Sequence, residues 1–350
     1  MGNRFLPEYL HNTFPGIFPF VWQPSPENPI YRGGGYDRYR LTNLEPNQIR
    51  DIFWKICPQF SKVPVDEKYW REIYPPLNAH LHEFWVNETG IKDKEKLKQH
   101  FNSIREAAWQ IVQEFTIARW WFLRSIMAES PYYHELRELA RKGATVIDLG
   151  CGLGQELRWL KADGATGELI GVDSRLELWN LGSKLFQAPE DEMHFRTLDI
   201  ITGDDNSNPL AEFSEKADIY LLNDVMSFYG SRHIQGMMLS IQNASKVGTK
   251  VFGWLFGQDG EPDPRGPKEF GGGYRGAIPT LKTFTTWFMN ITPNEGEVKW
   301  DLQVQLVGFD KLGFDEEDQN WLKSDFWNVP DPLDCPNELK AICFLATRTQ

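Results

Sequence analysis

Along the first 90 residues the apolar positions follow no sustained period. Aromatics and prolines dominate there, and short helical pieces are expected around 46–57 and 66–73. We read 1–90 as an arm or cap packed on the remainder, either a cover for a sheet edge or a lid over a site. From Asp93 the pattern changes. Leu97, Phe101, Ile104, Ala108, Ile111 and Phe115 recur at spacings of three and four, which predicts an amphipathic helix. A second helix is expected over Tyr132–Arg141, stopped by Gly143.

Short apolar runs then alternate with helical periods. Strands are predicted at Thr145–Leu149, Leu169–Asp173, Met193–Leu198, Ala217–Asn223 and Thr249–Phe256. Helices are expected at Gln155–Lys161, Leu176–Phe186 and Ser231–Ala244. Alternation of this kind implies right-handed β-α-β units and a parallel sheet covered on both faces. Residues 257–279 are rich in glycine and proline and read as a long loop. A helix near Thr280–Asn290 and two late strands, Val298–Val307 and Ala341–Thr347, complete the pattern. The acidic stretch 308–337 between those strands reads as an insertion. The expectation is an α/β chain with a seven-stranded, mostly parallel, Rossmann-like sheet over 91–350.

Composition narrows the partners. A net charge of −12 opposes nucleic acid or an anionic membrane surface as the main partner, since both reward positive charge. No run of 18 apolar residues occurs and the start lacks a signal-peptide pattern, so no membrane span and a cytoplasmic location are expected. Cys57, Cys151, Cys335 and Cys343 form no C-x-x-C pair, and no metal site is expected. Cys151 reads as a small packing residue. A homodimer is compatible with the sequence but not required by it.

The strongest chemical signal is Asp148-Leu149-Gly150-Cys151-Gly152-Leu153-Gly154-Gln155, where a strand hands over to a helix. Glycines there permit a tight turn and let a ligand touch bare backbone. The spacing is G-x-G-x-G, and Gln155 stands where a dinucleotide fingerprint wants its third glycine. A carboxylate two places before the first glycine suits the positive sulfonium and amino group of S-adenosylmethionine. Asp173 ends the second strand, where a carboxylate can accept both ribose hydroxyls. Asp199 and Ile200 follow the third, placed for an adenine amino group and ring, and Asn223 and Asp224 end the fourth. Each aspartate taken alone fits helix or turn capping equally well; the ordered set is what points to this cofactor.

The run Asp148–Arg158 with Asp163-Gly164-Ala165 resembles fungal methyltransferases of meroterpenoid biosynthesis, the austinol, terretonin and andrastin type. So do Ile104–Trp109, Arg119–Leu123, and Leu181-Gly182 with Leu185-Phe186. The resemblance covers about residues 90 to 307, is sharpest in the glycine turn, and leaves the first 90 residues unaccounted for. It implies a class I methyltransferase fold, cofactor contacts at Asp148, Gly150, Gly152, Gly154, Asp173 and Asp199, and O-methylation, notably of a carboxyl group. One departure stands out. After the fourth strand the family carries an F-F-H pattern, whereas this chain reads Val225-Met226-Ser227-Phe228-Tyr229, with Ser227 in the histidine's place.

That departure bears on mechanism. A carboxylate acceptor is already ionised at neutral pH and needs no base, whereas a hydroxyl acceptor gains from one. Candidate catalytic groups are Ser227, Tyr229 and His233. The competing reading is that Ser227 and Tyr229 shape the pocket or cap the next helix, and that His233 is a surface group. His80 and His82 reach the site only if the arm is a lid. Trp109, Trp120, Trp121, Phe228, Tyr229, Trp254 and Phe256 suit a large apolar small-molecule substrate, or ordinary packing. The expected activity is O-methyl transfer to such a substrate in secondary metabolism. The alternative is a cyclase or pericyclase of the same fold that keeps the cofactor as a fixed cation.

Overall fold

In the computed structural model the described residues are 70–189, 193–200, 208–229, 231–261, 268–269, 277–289, 298–324 and 339–350. All belong to one compact unit, Ile52–Gln350. The helical piece expected around 46–57 lies outside them. Residues 70–73 form no helix: Arg71 N instead donates to Ala118 O at 3.2 Å. The prolines at 75 and 76 hold the chain extended there.

Helix α1 (Ala79–Thr89) starts at Asn78, whose side chain accepts from Leu81 N, and ends at Gly90 in the left-handed region. Helix α2 (Lys94–Ile111) is capped by Asp93, which accepts from Lys96 N. The apolar period predicts one helix through Phe115, but α2 stops at Ile111. Val112 and Glu114 are extended, and a separate turn, α3 (Phe115–Ala118), follows. Branched Ile111 and Val112 favour extended backbone, and Phe115 is drawn into an aromatic cluster beyond the helix. Trp85 of α1 packs on Phe101 of α2 at 4.9 Å and donates its indole N–H to Leu123 O. Helix α4 (Tyr133–Arg141) then leads into the sheet.

The sheet contains β1 (Val146–Leu149), β2 (Leu169–Asp173), β3 (His194–Thr197), β4 (Ile219–Asn223), β5 (Lys250–Gln258), β8 (Trp300–Val307) and β9 (Leu339–Arg348), in the order β3-β2-β1-β4-β5-β9-β8. The first five are parallel, whereas β9 runs antiparallel between β5 and β8. The connecting helices are α5 (Gln155–Ala162), α6 (Leu176–Leu185), α7 (Ser231–Ala244) and α8 (Leu281–Met289). The order and the antiparallel seventh strand are those of a class I methyltransferase sheet. Strand β3 is shorter than expected, being an edge strand with most of its residues exposed. The stretch expected as a loop at 257–279 contains the end of β5 and a two-stranded ribbon of β6 (Lys268–Glu269) and β7 (Ala277–Ile278). Within the expected insertion, a turn at Phe309–Leu312 precedes α9 (Glu316–Ser324).

Both faces of the central strands are buried, as a doubly covered parallel sheet requires. Ile147, Leu149, Val172, Tyr220 and Leu222 pack with Met237, Ile241 and Phe284 of α7 and α8. Val146, Leu221, Phe252 and Trp254 face the other way, with Leu136, Leu157 and Leu160. Each such large apolar side chain contributes about 1.5–3 kcal/mol on burial. Helix α6 lies so near the glycine turn that a Cβ on Gly182 would come within 2.1 Å of Leu153 O. Glycine there lets helix and turn touch backbone to backbone.

Candidate active site

Parallel strands point their carboxyl ends to one edge, and the turns after β1, β2 and β4 meet there. Gly150 N and Cys151 N both donate to Val172 O, at 2.8 and 3.1 Å. Gly152 N donates to Asp173 Oδ2 at 2.9 Å, and Arg175 N donates to Asp173 Oδ1 at 2.9 Å. The Asp173 carboxylate therefore joins the turn after β1 to the turn after β2 and keeps lone pairs for further donors. Gly150, Gly152 and Gly154 all have positive φ, and Gly154 leads into α5 at Gln155. A Cβ on Gly152 would meet nothing within 4 Å, so this face of the turn opens onto free space.

Acidic groups crowd this edge. Asp148 is 2% exposed and its Oδ2 lacks a hydrogen-bond partner. Burial raises its pKa well above the usual carboxylate range, and Glu156 and Asp173 add to the rise. Burial also raises Asp173, against the opposing pull of the Gly152 and Arg175 amides. Glu156, buried and hydrogen-bonded by Ser125, is pushed up to about 7. A cation at this edge would favour ionisation of these carboxyls, and they in turn would attract it.

The other expected residues are placed as follows. Asp199 is exposed beyond β3 and Ile200 is buried beside it. Asn223 ends β4 with both side-chain amide atoms buried and without partners, as is Gln155 Oε1. Ser227 is buried, and its hydroxyl accepts from Phe256 N at 3.0 Å, which ties the turn after β4 to the end of β5. Tyr229 and His233 lie with ring centroids 6.2 Å apart, His233 being in α7. His80 is exposed, its ring edge-on to Trp159 of α5 at 5.9 Å.

Two further acidic residues stand at this edge: Glu114, which the sequence reading gave no role, and Asp224, which it placed with Asn223 at the end of the fourth strand. Glu114 stands in the break between α2 and α3, where the apolar period had hidden it inside a helix. Burial and Asp173 raise it to about 7, against Arg175 and Thr116. Asp224 follows Asn223 at φ +59, buried, with neither carboxyl oxygen well hydrogen-bonded. Burial holds it well above the ordinary range. Glu114 adds to that, and the Ser227 hydroxyl opposes it.

An aromatic wall rises beside these acids. Phe115 stacks on Phe228 at 5.6 Å and packs with Trp321 of α9 at 5.8 Å and Phe256 at 6.1 Å. Trp121 meets Phe314 edge-on at 4.6 Å. Trp109 and Trp120 serve packing elsewhere: Trp109 meets Trp70, while the Arg105 guanidinium lies over Trp70 and Trp120 at 3.5 and 4.1 Å. An ionic clamp fixes the wall. Fully buried Asp318 of α9 meets Arg119 Nε at 2.8 Å, Arg71 Nη1 at 3.1 Å and Arg124 Nη2 at 3.5 Å. Asp315 and Glu317 add contacts to Arg71 at 2.7 and 3.0 Å. Among the described residues no cluster of three or more metal-ligating side chains occurs, and no helix is long and apolar enough to cross a membrane.

Comparisons with known proteins bear on this site. Residues 69–123 match a family described as meroterpenoid methyltransferase N-terminal domain. The chain is 34% identical over 191 residues to the methyltransferase adrK of Penicillium roqueforti, covering 54% of this chain and 58% of that protein. It is 39% identical over 102 residues to the methyltransferase ausD of Aspergillus calidoustus, covering 29% of this chain and 37% of that protein. The chain thus spans well under two thirds of either relative. Among solved structures, human N-acetylserotonin methyltransferase in complex with SAM aligns over 77% of this chain and 66% of its own, at 14% identity and a TM-score of 0.40.

Proposed function

We propose that the chain belongs with the fungal meroterpenoid methyltransferases it resembles, binds S-adenosylmethionine and methylates an oxygen of a large apolar acceptor, at a carboxyl group. The observation that carries this reading is the glycine turn. Its open face at Gly152, its hydrogen bond to Asp173 and the buried, partnerless Asp148 oxygen form a cradle with matching charge.

Bound there, the cofactor supplies an activated methyl group and a positive charge. Asp173 would accept the ribose hydroxyls on lone pairs not used by Gly152 and Arg175. Asp148 would answer positive charge across the turn. Gln155 and Asn223 would use their unpaired polar atoms on the cofactor, and Asp199 and Ile200 would flank its base. Ser227 keeps the turn after β4 in register with β5. The aromatic wall holds an apolar acceptor and excludes water, which serves alignment of donor and acceptor. An acceptor carboxylate needs no base, consistent with a serine where the family has histidine.

The curated relatives carry methyltransferase names, which does not favour the cyclase alternative. Calorimetry with S-adenosylmethionine and S-adenosylhomocysteine tests the reading directly. Binding should occur in the native chain and weaken at least about tenfold in Asp173→Ala, a loss of about 1.4 kcal/mol. Unchanged affinity in that variant would remove the ribose assignment.

A further inference from the structure

At the end of β4 the chain buries polar atoms that its own fold leaves unsatisfied. Asp224 is 6% exposed with neither carboxyl oxygen in a well-formed hydrogen bond, the Ser227 hydroxyl being its one polar neighbour of note, and both amide atoms of the adjoining Asn223 are orphaned. Buried polar groups are nearly always hydrogen-bonded, so two consecutive residues left in this state mark a place that a ligand completes. Asp224 also holds a left-handed backbone, which aspartate and asparagine tolerate.

A second carboxyl faces the same spot from a distant part of the chain. Glu114 acts electrostatically on Asp224. Its turn is fastened there because Phe115 stacks on Phe228, in the turn that Asp224 opens. The other charged groups bearing on Glu114 are Asp173 and Arg175, after β2. An acceptor carboxylate entering here would meet like charge unless a proton intervenes. Burial keeps Asp224 above the ordinary carboxylate range and Glu114 at about 7, so a proton is at hand. A carboxylic acid donates one strong hydrogen bond to a carboxylate, and neighbouring acids share protons.

We propose that Asp224, protonated and backed by Glu114, grips the carboxylate of the acceptor and makes the site selective for apolar carboxylic acids over the matching alcohols. The inference rests on the methyltransferase reading above. The acceptor oxygen not held by the Asp224 proton takes the methyl group as its bond to sulfur breaks. The electron pair of that bond stays on sulfur, and no proton is released. Used as a base, the same pair would instead activate a hydroxyl and would give the opposite pH profile.

Farnesoic acid and farnesol are suitable matched probes, titrated onto the whole chain saturated with S-adenosylhomocysteine, whose own binding is measured separately. At about pH 6 the acid should bind at least about tenfold tighter than the alcohol, and a parallel titration at about pH 8.5 should show a smaller preference. Asp224→Asn keeps a donor that does not titrate and tolerates the left-handed backbone, so it should hold the acid across that range. Asp224→Gly suits the positive φ while deleting the carboxyl. It should lose the preference with S-adenosylhomocysteine affinity unchanged. Glu114→Gln removes the charge that helps keep Asp224 protonated, so the preference for the acid should be lost at lower pH than in the native chain. Equal binding of acid and alcohol, or an intact preference in Asp224→Gly, would overturn the assignment. So would acid binding that strengthens with pH. A native chain that does not bind S-adenosylhomocysteine would refute the cofactor reading itself, and this inference with it.

Discussion

Replacing Asp318 with asparagine tests whether the clamp holds the aromatic wall. The carboxylate is fully buried and meets Arg119, Arg71 and Arg124 at 2.8, 3.1 and 3.5 Å. Asparagine keeps the shape and one acceptor but removes the charge. The arginines then retain Asp315 and Glu317, which are 28% and 44% exposed and too well solvated to replace a buried partner. Breaking a buried ionic cluster by removing one partner costs about 3–5 kcal/mol, because charge is left uncompensated. Set against a total stability of about 5–15 kcal/mol, that is a large fraction. Urea denaturation should show the loss, and moderate salt should not restore it, since buried pairs are weakly screened. The same helix carries Trp321, which packs on Phe115 and under the Arg119 guanidinium at 4.4 Å. KM for an apolar acceptor should therefore rise while cofactor affinity holds. A loss below about 1 kcal/mol, the value of an exposed pair, would refute the reasoning.

The sheet was legible in the sequence because its strands alternate with helices and the central strands β1, β2 and β4 are almost wholly apolar. Leu169–Asp173 and Ser231–Ala244 fall where the pattern places them. The glycine turn was legible too, since positive φ at Gly150, Gly152 and Gly154 needs the residue that the sequence supplies. Glu114 was not. A period of three and four runs through it from Leu97 to Phe115, and only the tertiary pull on Phe115 breaks the helix and brings the acid under the influence of Asp173 and Asp224. The clamp was equally hidden, because Arg71 and Asp315 lie 244 residues apart and charge alone does not pair distant segments. Periodicity reports which face of an element is buried; it does not report which distant side chains share that burial.

Gly152→Ala places a methyl on the open face of the turn without touching protein, at a backbone φ of +53. The strain should cost about 1–2 kcal/mol of stability, and calorimetry should show at least about tenfold weaker S-adenosylmethionine binding; unchanged binding would mean that the face carries no ligand. Phe115→Leu loosens the contacts to Phe228 and Trp321, and should weaken an apolar acceptor more than the cofactor, as read by their separate dissociation constants. Glu156→Gln tests the electrostatics of the edge. Glu156 is held at about 7 against an ordinary 4.5, so between those values the unfolded chain has lost a proton that the folded chain keeps. Stability from this group is full below about pH 4.5 and falls as pH rises to about 7, by about 3 kcal/mol in all. Glutamine cannot titrate and keeps a partner for Ser125, so the variant's unfolding free energy should fall less steeply across that window, and the difference between the two curves should flatten above it. Parallel curves for the two proteins would show that Glu156 is not held neutral by burial, and that the edge is less short of positive charge than the proposed cofactor site requires.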